Sequence, residues 1–168
     1  MKRIFVLLIF AFVCSAAFAQ KSAWRSATDA ELAALLPARA PVEKEHIETE
    51  MRTASGIVDK HDHYIAGVVL ITAGYSAEGK YSHFLVVQAP VKIGGIELKP
   101  GEYVFGYTHD GDVLSVHFNV AATGALVGTA EAHKLTGTRV EILRIWPPAD
   151  KAMVQIGRFA LAYEIEEQ

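Results

Sequence analysis

From Gly56 onward, apolar residues either alternate with polar ones or form short continuous runs, and turn residues separate the runs. Alternation with a period of two predicts strands with one buried face, and short apolar runs predict strands covered on both faces. The runs at 66–72 and 81–88 show the second pattern. The final segment shows the first, with its apolar residues at Phe159, Leu161, Tyr163 and Ile165. The pattern therefore predicts a β-rich domain over residues 56–168.

A glycine pair, Gly94-Gly95, lies between two short apolar segments and predicts a two-residue hairpin turn. Counting outward from this turn opposes Ile93 with Ile96, Lys92 with Glu97, and Val91 with Leu98. Apolar residues then meet apolar ones and the charges are opposite, so each pair contributes on the order of 0.2–1 kcal/mol. A phosphate-binding loop would need a helix after the glycines, and another strand is expected there instead.

A second hairpin is predicted at Asp110-Gly111, which would oppose three aromatic residues with apolar partners. The expected pairs are Tyr107 with Leu114, Phe105 with Val116, and Tyr103 with Phe118. Aromatic rings in such a row could form a platform on which sugars or bases stack. Their apolar partners favour core packing instead.

The remaining segments complete the predicted sheet. Leu126 is expected to lie opposite Phe118, and a change of parity within 139–146 predicts a β-bulge. About eight strands separated by turns indicate an antiparallel β-sandwich, with a closed β-barrel as the alternative.

Residues 20–55 differ from the rest of the chain, because they are rich in Ala and Glu and lack strand-like alternation. Thr28 and Glu31 have the spacing of a capping box and predict a short helix that ends before Pro37. The segment 37–50 carries two prolines and many charges, so a loop or linker is expected there. The predicted organisation is a helix and linker over 20–55, followed by the β-domain.

Residues 1–19 have the features of a secretory signal peptide, with Lys2 and Arg3 before an apolar run. Ala17-Phe18-Ala19 fits the small-x-small rule for cleavage, which would leave Gln20 as the first residue. The apolar run is too short to span a bilayer. We therefore expect a periplasmic or secreted protein that is not membrane-spanning. Lipid attachment at Cys14 is the competing interpretation.

Composition narrows the possible functions. Cys14 is the only cysteine, so cleavage near Ala19 would leave no thiol for a disulfide, a metal site or a nucleophile. Cleavage would also leave 14 basic and 19 acidic residues, a net charge of −5 with neutral histidines. Without a basic surplus, nucleic acid is not expected as a partner.

The segment Asp59–Tyr64 contains the one motif with possible metal chemistry. On a strand, His61 and His63 would project to one side, about 7 Å apart at their Cα atoms. Two such imidazoles can share one Zn or Cu ion if further ligands are present. The other histidines considered as ligands are His83, His109, His117 and His133. The alternative is a solvated entrance to a strand, in which case no cofactor is bound.

No catalytic motif accompanies these features. The sequence lacks a G-x-S-x-G nucleophile elbow, and no spacing singles out a pair of catalytic carboxylates. We therefore expect a protein that is not an enzyme.

The segment Val91–Tyr103 reads V-x-I-G-G-x-x-L-x-x-G-x-Y. It resembles a hairpin in a family of exported bacterial proteins that carry a domain of unknown function. Ile93, Leu98, Gly101 and Tyr103 match that pattern, together with Gly94-Gly95, whereas Lys99-Pro100 departs from it. The resemblance implies a compact β-domain and supplies no catalytic residue.

The sequence thus predicts an exported, non-catalytic module of the cell envelope that binds an envelope protein or a glycan. Two alternatives stay open at this point. One is a metal-binding protein centred on His61 and His63, and the other is a lipocalin-like carrier of a small apolar ligand.

Overall fold

The structure, a computed structural model, describes residues 24–166. The expected signal peptide over 1–19 and Cys14 lie outside the described residues. Among residues 24–166, no helix is long and apolar enough to cross a membrane.

The described chain is mostly β-structure with one short helix, α1 (Asp29–Leu35). The strands are β1 (Arg25–Ser26), β2 (Arg39–Val42), β3 (Glu45–Val58), β4 (Tyr64–Leu70), β5 (His83–Val87), β6 (Val91–Ile93), β7 (Ile96–Leu98), β8 (Gly101–Asp110), β9 (Val113–Val120), β10 (Leu126–Lys134), β11 (Glu141–Ile145), β12 (Met153–Gly157) and β13 (Phe159–Ile165). The expected eight strands are therefore too few, because several strands have only two to four residues and lack a clear periodic signal.

Ten of these strands form a nearly closed, barrel-like antiparallel sheet in the order β1-β3-β4-β5-β8-β9-β10-β13-β12-β11. Strand β2 pairs with β3, while β6 pairs with both β7 and β13. Near the two ends of the strand order, the backbone N–H of Ile145 on β11 donates to Oγ of the buried Ser55 on β3 at 2.9 Å. A side chain thus joins β11 to β3 at a position where no backbone ladder is formed.

Apolar side chains form two clusters, one on each side of the sheet. The first includes Leu85, Phe105, Phe118 and Leu161 and lies on the concave, inner side. The second lies outside β4, β5 and β8, where α1 and the β2–β3 hairpin cover residues such as Phe84. Because both faces of β4 and β5 are covered, their sequences are almost continuously apolar, as predicted.

The N-terminal helix confirms the capping-box prediction. The Thr28 side chain accepts from the Glu31 backbone N–H at 3.3 Å, and the Glu31 carboxylate accepts from the Thr28 N–H at 2.7 Å. The predicted linker is wrong, because β2 occupies part of 37–50 and β3 runs without a break through residue 55. Ile47 is fully buried there, whereas the charged neighbours on either side stay at the surface and hide the strand pattern.

The turn at Gly94-Gly95 is confirmed, with all three predicted cross-strand pairs in place. The second hairpin is shifted by two residues from the prediction, since Phe105 lies opposite Phe118 and Asp110 opposite Val113. Gly111 has a φ of 60° and is the first of the two turn residues, where a type II′ turn requires glycine. A shift of two residues leaves the same side chains on each face of the sheet.

Two further register predictions have different outcomes. Leu126 lies opposite Asn119 instead of Phe118, because a bulge between Leu126 and Gly128 places Gly128 opposite Phe118. The bulge predicted within 139–146 is confirmed, since the β11–β12 register shifts between Glu141 and Arg144. The predicted alternation of the final strand also holds, with Leu161 and Tyr163 buried.

Candidate functional site

A surface groove of about 380 Å³ lies on the outer side of β8 and β9, beside the loop that precedes β5. We call it the outer groove. It combines hydroxyl, amide, imidazole and ammonium groups with an aromatic ring and an aliphatic side chain. Its lining residues are Gly79, Lys80, Tyr81, Tyr107, Thr108, His117, Asn119, Gly124 and Leu126.

One wall of the outer groove exists because β8 has a glycine at residue 106. A Cβ atom built on Gly106 would lie 2.9 Å from the carbonyl carbon of Lys80 and 3.4 Å from Cα of Tyr81, with the Lys80 carbonyl oxygen closer still. The backbone at Lys80 therefore rests directly on β8. The adjacent N–H of Ser82 donates to the Phe105 carbonyl at 2.9 Å and holds the loop in that position.

The same wall is anchored from the β2–β3 turn by Glu43. Oε1 of Glu43 accepts from the Tyr81 hydroxyl at 2.8 Å and from Lys80 Nζ at 3.2 Å. These hydrogen bonds, the one from Tyr81 first, lower the pKa of Glu43, so the carboxylate stays charged. The Glu43 N–H donates to the Ala121 carbonyl at 2.7 Å and holds a residue whose φ is 53°. The wall is therefore fixed by several groups at once.

The floor of the outer groove is made of polar side chains on neighbouring strands. His117 lies opposite Gly106 on one side and Thr129 on the other. Its Nδ1 lies 3.0 Å from Oγ1 of Thr129. Asn119 donates from Nδ2 to the Gly124 carbonyl at 2.9 Å. Each of these hydrogen bonds limits the orientation of a polar group in the groove.

The three aromatic residues of β8 have different environments. Tyr103 and Phe105 are buried in the inner cluster, as predicted, but 43% of Tyr107 is exposed. Strand β5 begins at His83, which lies opposite Phe105, so β8 has no paired strand on its β5 edge at the level of Tyr107. The prediction of core packing is therefore wrong for Tyr107, although its ring lies on the same face of β8 as Phe105, 6.3 Å from the ring of His83, and not on the outer face with His117. The exposed apolar side chain of the outer groove is Leu126, which is 63% exposed.

Sequence reasoning did not find this site, although one signal was available. An isolated glycine inside an otherwise strand-like segment often marks a close approach of another backbone. Gly106 is such a residue, and the chain it contacts forms the wall of the groove.

His61 and His63 lie in the turn between β3 and β4, and not on a strand as predicted. The cause is Asp59, whose Oδ1 accepts from the backbone N–H groups of His61 at 2.8 Å and His63 at 2.9 Å. Asp59 Oδ2 lies 3.1 Å from Nδ1 of His63, and the two imidazole rings are 6.1 Å apart. Within residues 24–166, no three His, Cys, Asp or Glu side chains are placed to hold a metal ion together.

The other candidate ligands lie on different strands. His109 contacts Phe159 edge to face with ring centroids 5.3 Å apart, and His133 is exposed on β10. His117 belongs to the outer groove. His83 is buried, stacks on Phe105 at 4.5 Å, and has no hydrogen-bond partner at Nε2 among the described residues. Burial lowers the pKa of His83 to about 4, so the ring is neutral at pH 7.

Comparisons with protein-family models, with curated proteins and with solved structures found no match to this chain. The resemblance of the Val91–Tyr103 segment to an exported bacterial family therefore stays a prediction. Arguments about function rest on the geometry of the outer groove and on the sequence.

Proposed function

We propose that this protein is a non-catalytic carbohydrate-binding module of the cell envelope and that it holds a glycan in the outer groove. The observation that carries the proposal is the row of fixed polar groups on the outer face of β8 and β9, beside the exposed side chain of Leu126. Export rests on the signal-peptide features of residues 1–19, which are a separate prediction from the sequence.

The chemistry of the outer groove suits a sugar. A pyranose presents C–H groups on its faces and hydroxyl groups around its edge. Leu126 offers apolar contact area, while Thr108, His117 and Asn119 offer donors and acceptors. Sites with a few fixed polar groups beside apolar surface are typical of small-ligand binding.

Preorganisation also favours binding. The Glu43 hydrogen bonds fix Lys80 and Tyr81, and the Thr129 contact fixes the His117 ring. A ligand that binds to groups already held in place avoids the cost of immobilising them, which is about 0.5–1.5 kcal/mol for each flexible side chain.

The proposal of a non-catalytic role is supported by the partners of the groove's ionisable groups. The imidazole of His117 contacts a hydroxyl group, and the Glu43 carboxylate is engaged by two donors at the wall. A pair of free carboxylates, which glycoside hydrolysis requires, is absent from the residues that line the groove.

Calorimetric titration with neutral oligosaccharides tests the proposal, using tetrasaccharides of glucose and of N-acetylglucosamine. We expect binding to at least one of them that His117→Ala weakens about tenfold, because a hydrogen bond to the ligand contributes on the order of 1 kcal/mol. Tyr107→Ala, which removes a ring from the opposite face of β8, should keep most of the affinity. Ile71→Ala, which removes an exposed side chain outside the groove lining, should leave it unchanged.

Failure of every tetrasaccharide to bind would reject a glycan of this kind. Binding that His117→Ala leaves unchanged would place the site elsewhere on the protein. The two results are distinguishable in the same titrations.

The two alternatives from the sequence have less support. A lipocalin-like carrier needs space inside its barrel, but large side chains such as Phe105, Phe118 and Leu161 are buried there. Metal binding by His61 and His63 would need a further ligand, and Asp59 is already engaged with the backbone of the same turn.

We also infer that the sheet is a closed barrel rather than a sandwich. The contact between Ser55 and Ile145 joins β11, the last strand of the order, to β3, the second strand, and the inner cluster draws on strands from β3 round to β11. In a sandwich, the strands would instead belong to two separate sheets packed face to face.

A further inference from the structure

Away from the outer groove, two cations lie against the ring of Trp146, just after β11. Lys151 Nζ is 4.2 Å from the ring centroid and Arg144 Cζ is 5.2 Å from it. Arg144 and Trp146 are two residues apart along an extended segment, so they project to the same side. Lys151 is brought back to the ring by the turn after Pro147, where its N–H donates to the Pro147 carbonyl at 3.2 Å.

The Trp146 ring is held in place by the buried side-chain amide of Gln155. Its Nε1 donates to Oε1 of Gln155 at 3.1 Å, and only 1% of Gln155 is exposed. Nε2 of Gln155 in turn donates to the carbonyls of Arg139 at 2.7 Å and Gly157 at 3.0 Å. The amide orientation is therefore fixed by three hydrogen bonds, and the ring forms a rigid support for the two cations.

Neither cation is neutralised within residues 24–166. Arg25, Arg39 and Arg52 each form an ion pair with a glutamate, whereas Arg144 and Lys151 form none. Nε of Arg144 is also buried without a hydrogen-bond partner in this part of the chain. Buried polar N–H groups are normally hydrogen-bonded to an acceptor.

The nearest acidic neighbour in sequence does not fill this role. Asp150 precedes Lys151 but forms no ion pair with it among the described residues. Burial, followed by the negative charge of Asp150, raises the pKa of Tyr163. Two uncompensated cations at one ring stand out in a chain that carries 19 acidic and 16 basic residues.

We infer that Arg144, Trp146 and Lys151 form a binding site for an anionic oxygen group, either a phosphate or a carboxylate. The guanidinium and ammonium groups supply several donors for charge-assisted hydrogen bonds. Contact with the Trp146 ring orients both cations before the anion arrives. This inference does not depend on the outer groove, whose ligand is proposed to be neutral.

Tryptophan fluorescence tests the inference, because the chain contains only Trp24 and Trp146. In the protein carrying Trp24→Phe, the emission of Trp146 would be followed during titration with inorganic phosphate, glucuronate or glucose. We expect saturable changes with phosphate or with glucuronate and none with glucose. A response to phosphate alone identifies a phosphate site, and a response to glucuronate identifies a site that accepts a carboxylate.

The contribution of the cations is measured with a matched pair of lysine variants. We expect Lys151→Ala to weaken anion binding about tenfold, the effect of losing one charge-assisted contact. Lys44→Ala removes another exposed lysine that forms no ion pair among the described residues and should bind like the parent. Binding should also weaken as salt is added, because charge screening reduces the attraction.

Three results would overturn the inference: no response to either anion, an equal response to glucose, or unchanged anion binding by Lys151→Ala. Should Trp24→Phe fail to fold, the indole N–H signal of Trp146 in the NMR spectrum of the unsubstituted protein provides the same readout. Assignment of that signal uses its loss in Trp146→Phe.

Discussion

The glycine at residue 106 provides a direct test of how the outer groove is built. In Gly106→Ala, the new Cβ would lie 2.9 Å from the Lys80 carbonyl carbon, a distance that real Cβ contacts essentially never show. The obstructing atoms belong to the backbone and are held by the hydrogen bond from Ser82 to Phe105. The loop therefore cannot move aside as a flexible side chain would.

The expected size of this effect follows from the cost of overpacking. Forcing extra atoms into a packed site destabilises a protein by about 1–3 kcal/mol, and a backbone obstruction belongs at the upper end of that range. For a chain of this size, a loss of about 3 kcal/mol lowers Tm by roughly 6–12 °C. We also expect weaker binding in the outer groove, because Lys80 and Tyr81 must shift.

Thermal unfolding followed by circular dichroism measures the first effect, with Gly101→Ala as the control on the same strand. An added Cβ at Gly101 would meet Tyr103 at 3.6 Å, an ordinary contact distance, so stability should change by less than about 0.5 kcal/mol. If Gly106→Ala melted at the same temperature as the unsubstituted protein, the close approach of Lys80 to β8 would be wrong.

Three further predictions concern the core and the closure of the sheet. Because the pKa of folded His83 is lowered to about 4, its contribution to stability is complete above its ordinary pKa of 6.5. This contribution, on the order of 3 kcal/mol of unfolding free energy, is lost as the pH falls toward 4. Urea midpoints at pH 7.5 and 4.5 measure the loss, and His83→Gln should reduce it. Ser55→Ala leaves the Ile145 N–H without its acceptor and should lower the free energy of unfolding by about 1–3 kcal/mol, with faster amide exchange at Ile145. Faster exchange spread evenly over the sheet would argue against a local closure at that residue. Phe105→Ala should destabilise the protein by about 3–5 kcal/mol, whereas Tyr107→Ala should cost less than about 1 kcal/mol. Equal losses of stability in urea denaturation would contradict the different burial of the two rings.

Local patterns predicted the elements whose causes are local. The Gly94-Gly95 hairpin and the Thr28 capping box depend on residues within a few positions of one another, and both are confirmed. The second turn lies at Gly111-Asp112 instead of Asp110-Gly111, which shifts the register by two residues, because Asp-Gly and Gly-Asp are both acceptable turn pairs. The cross-strand partners on either side fit both registers equally well.

Elements that depend on distant parts of the chain could not be predicted in this way. The segment 45–50 has the composition of a loop, yet it pairs with β2 and buries Ile47 against α1 and β4. Tyr107 is exposed because β5 begins at His83 and leaves the edge of β8 beside Tyr107 without a paired strand. The outer groove likewise results from contact between Gly106 and Lys80, which only the folded chain brings together.

The measurement that tests the proposed function most directly is an NMR titration of the isotope-labelled protein with the oligosaccharide that binds best. Amide chemical shifts would be followed for every assigned residue as the sugar is added. The account predicts the largest shifts at 79–81, 107–108 and 117–119, with little change near Trp146. Shifts confined to another surface, or none at saturating sugar, would contradict the assignment of the outer groove as the binding site.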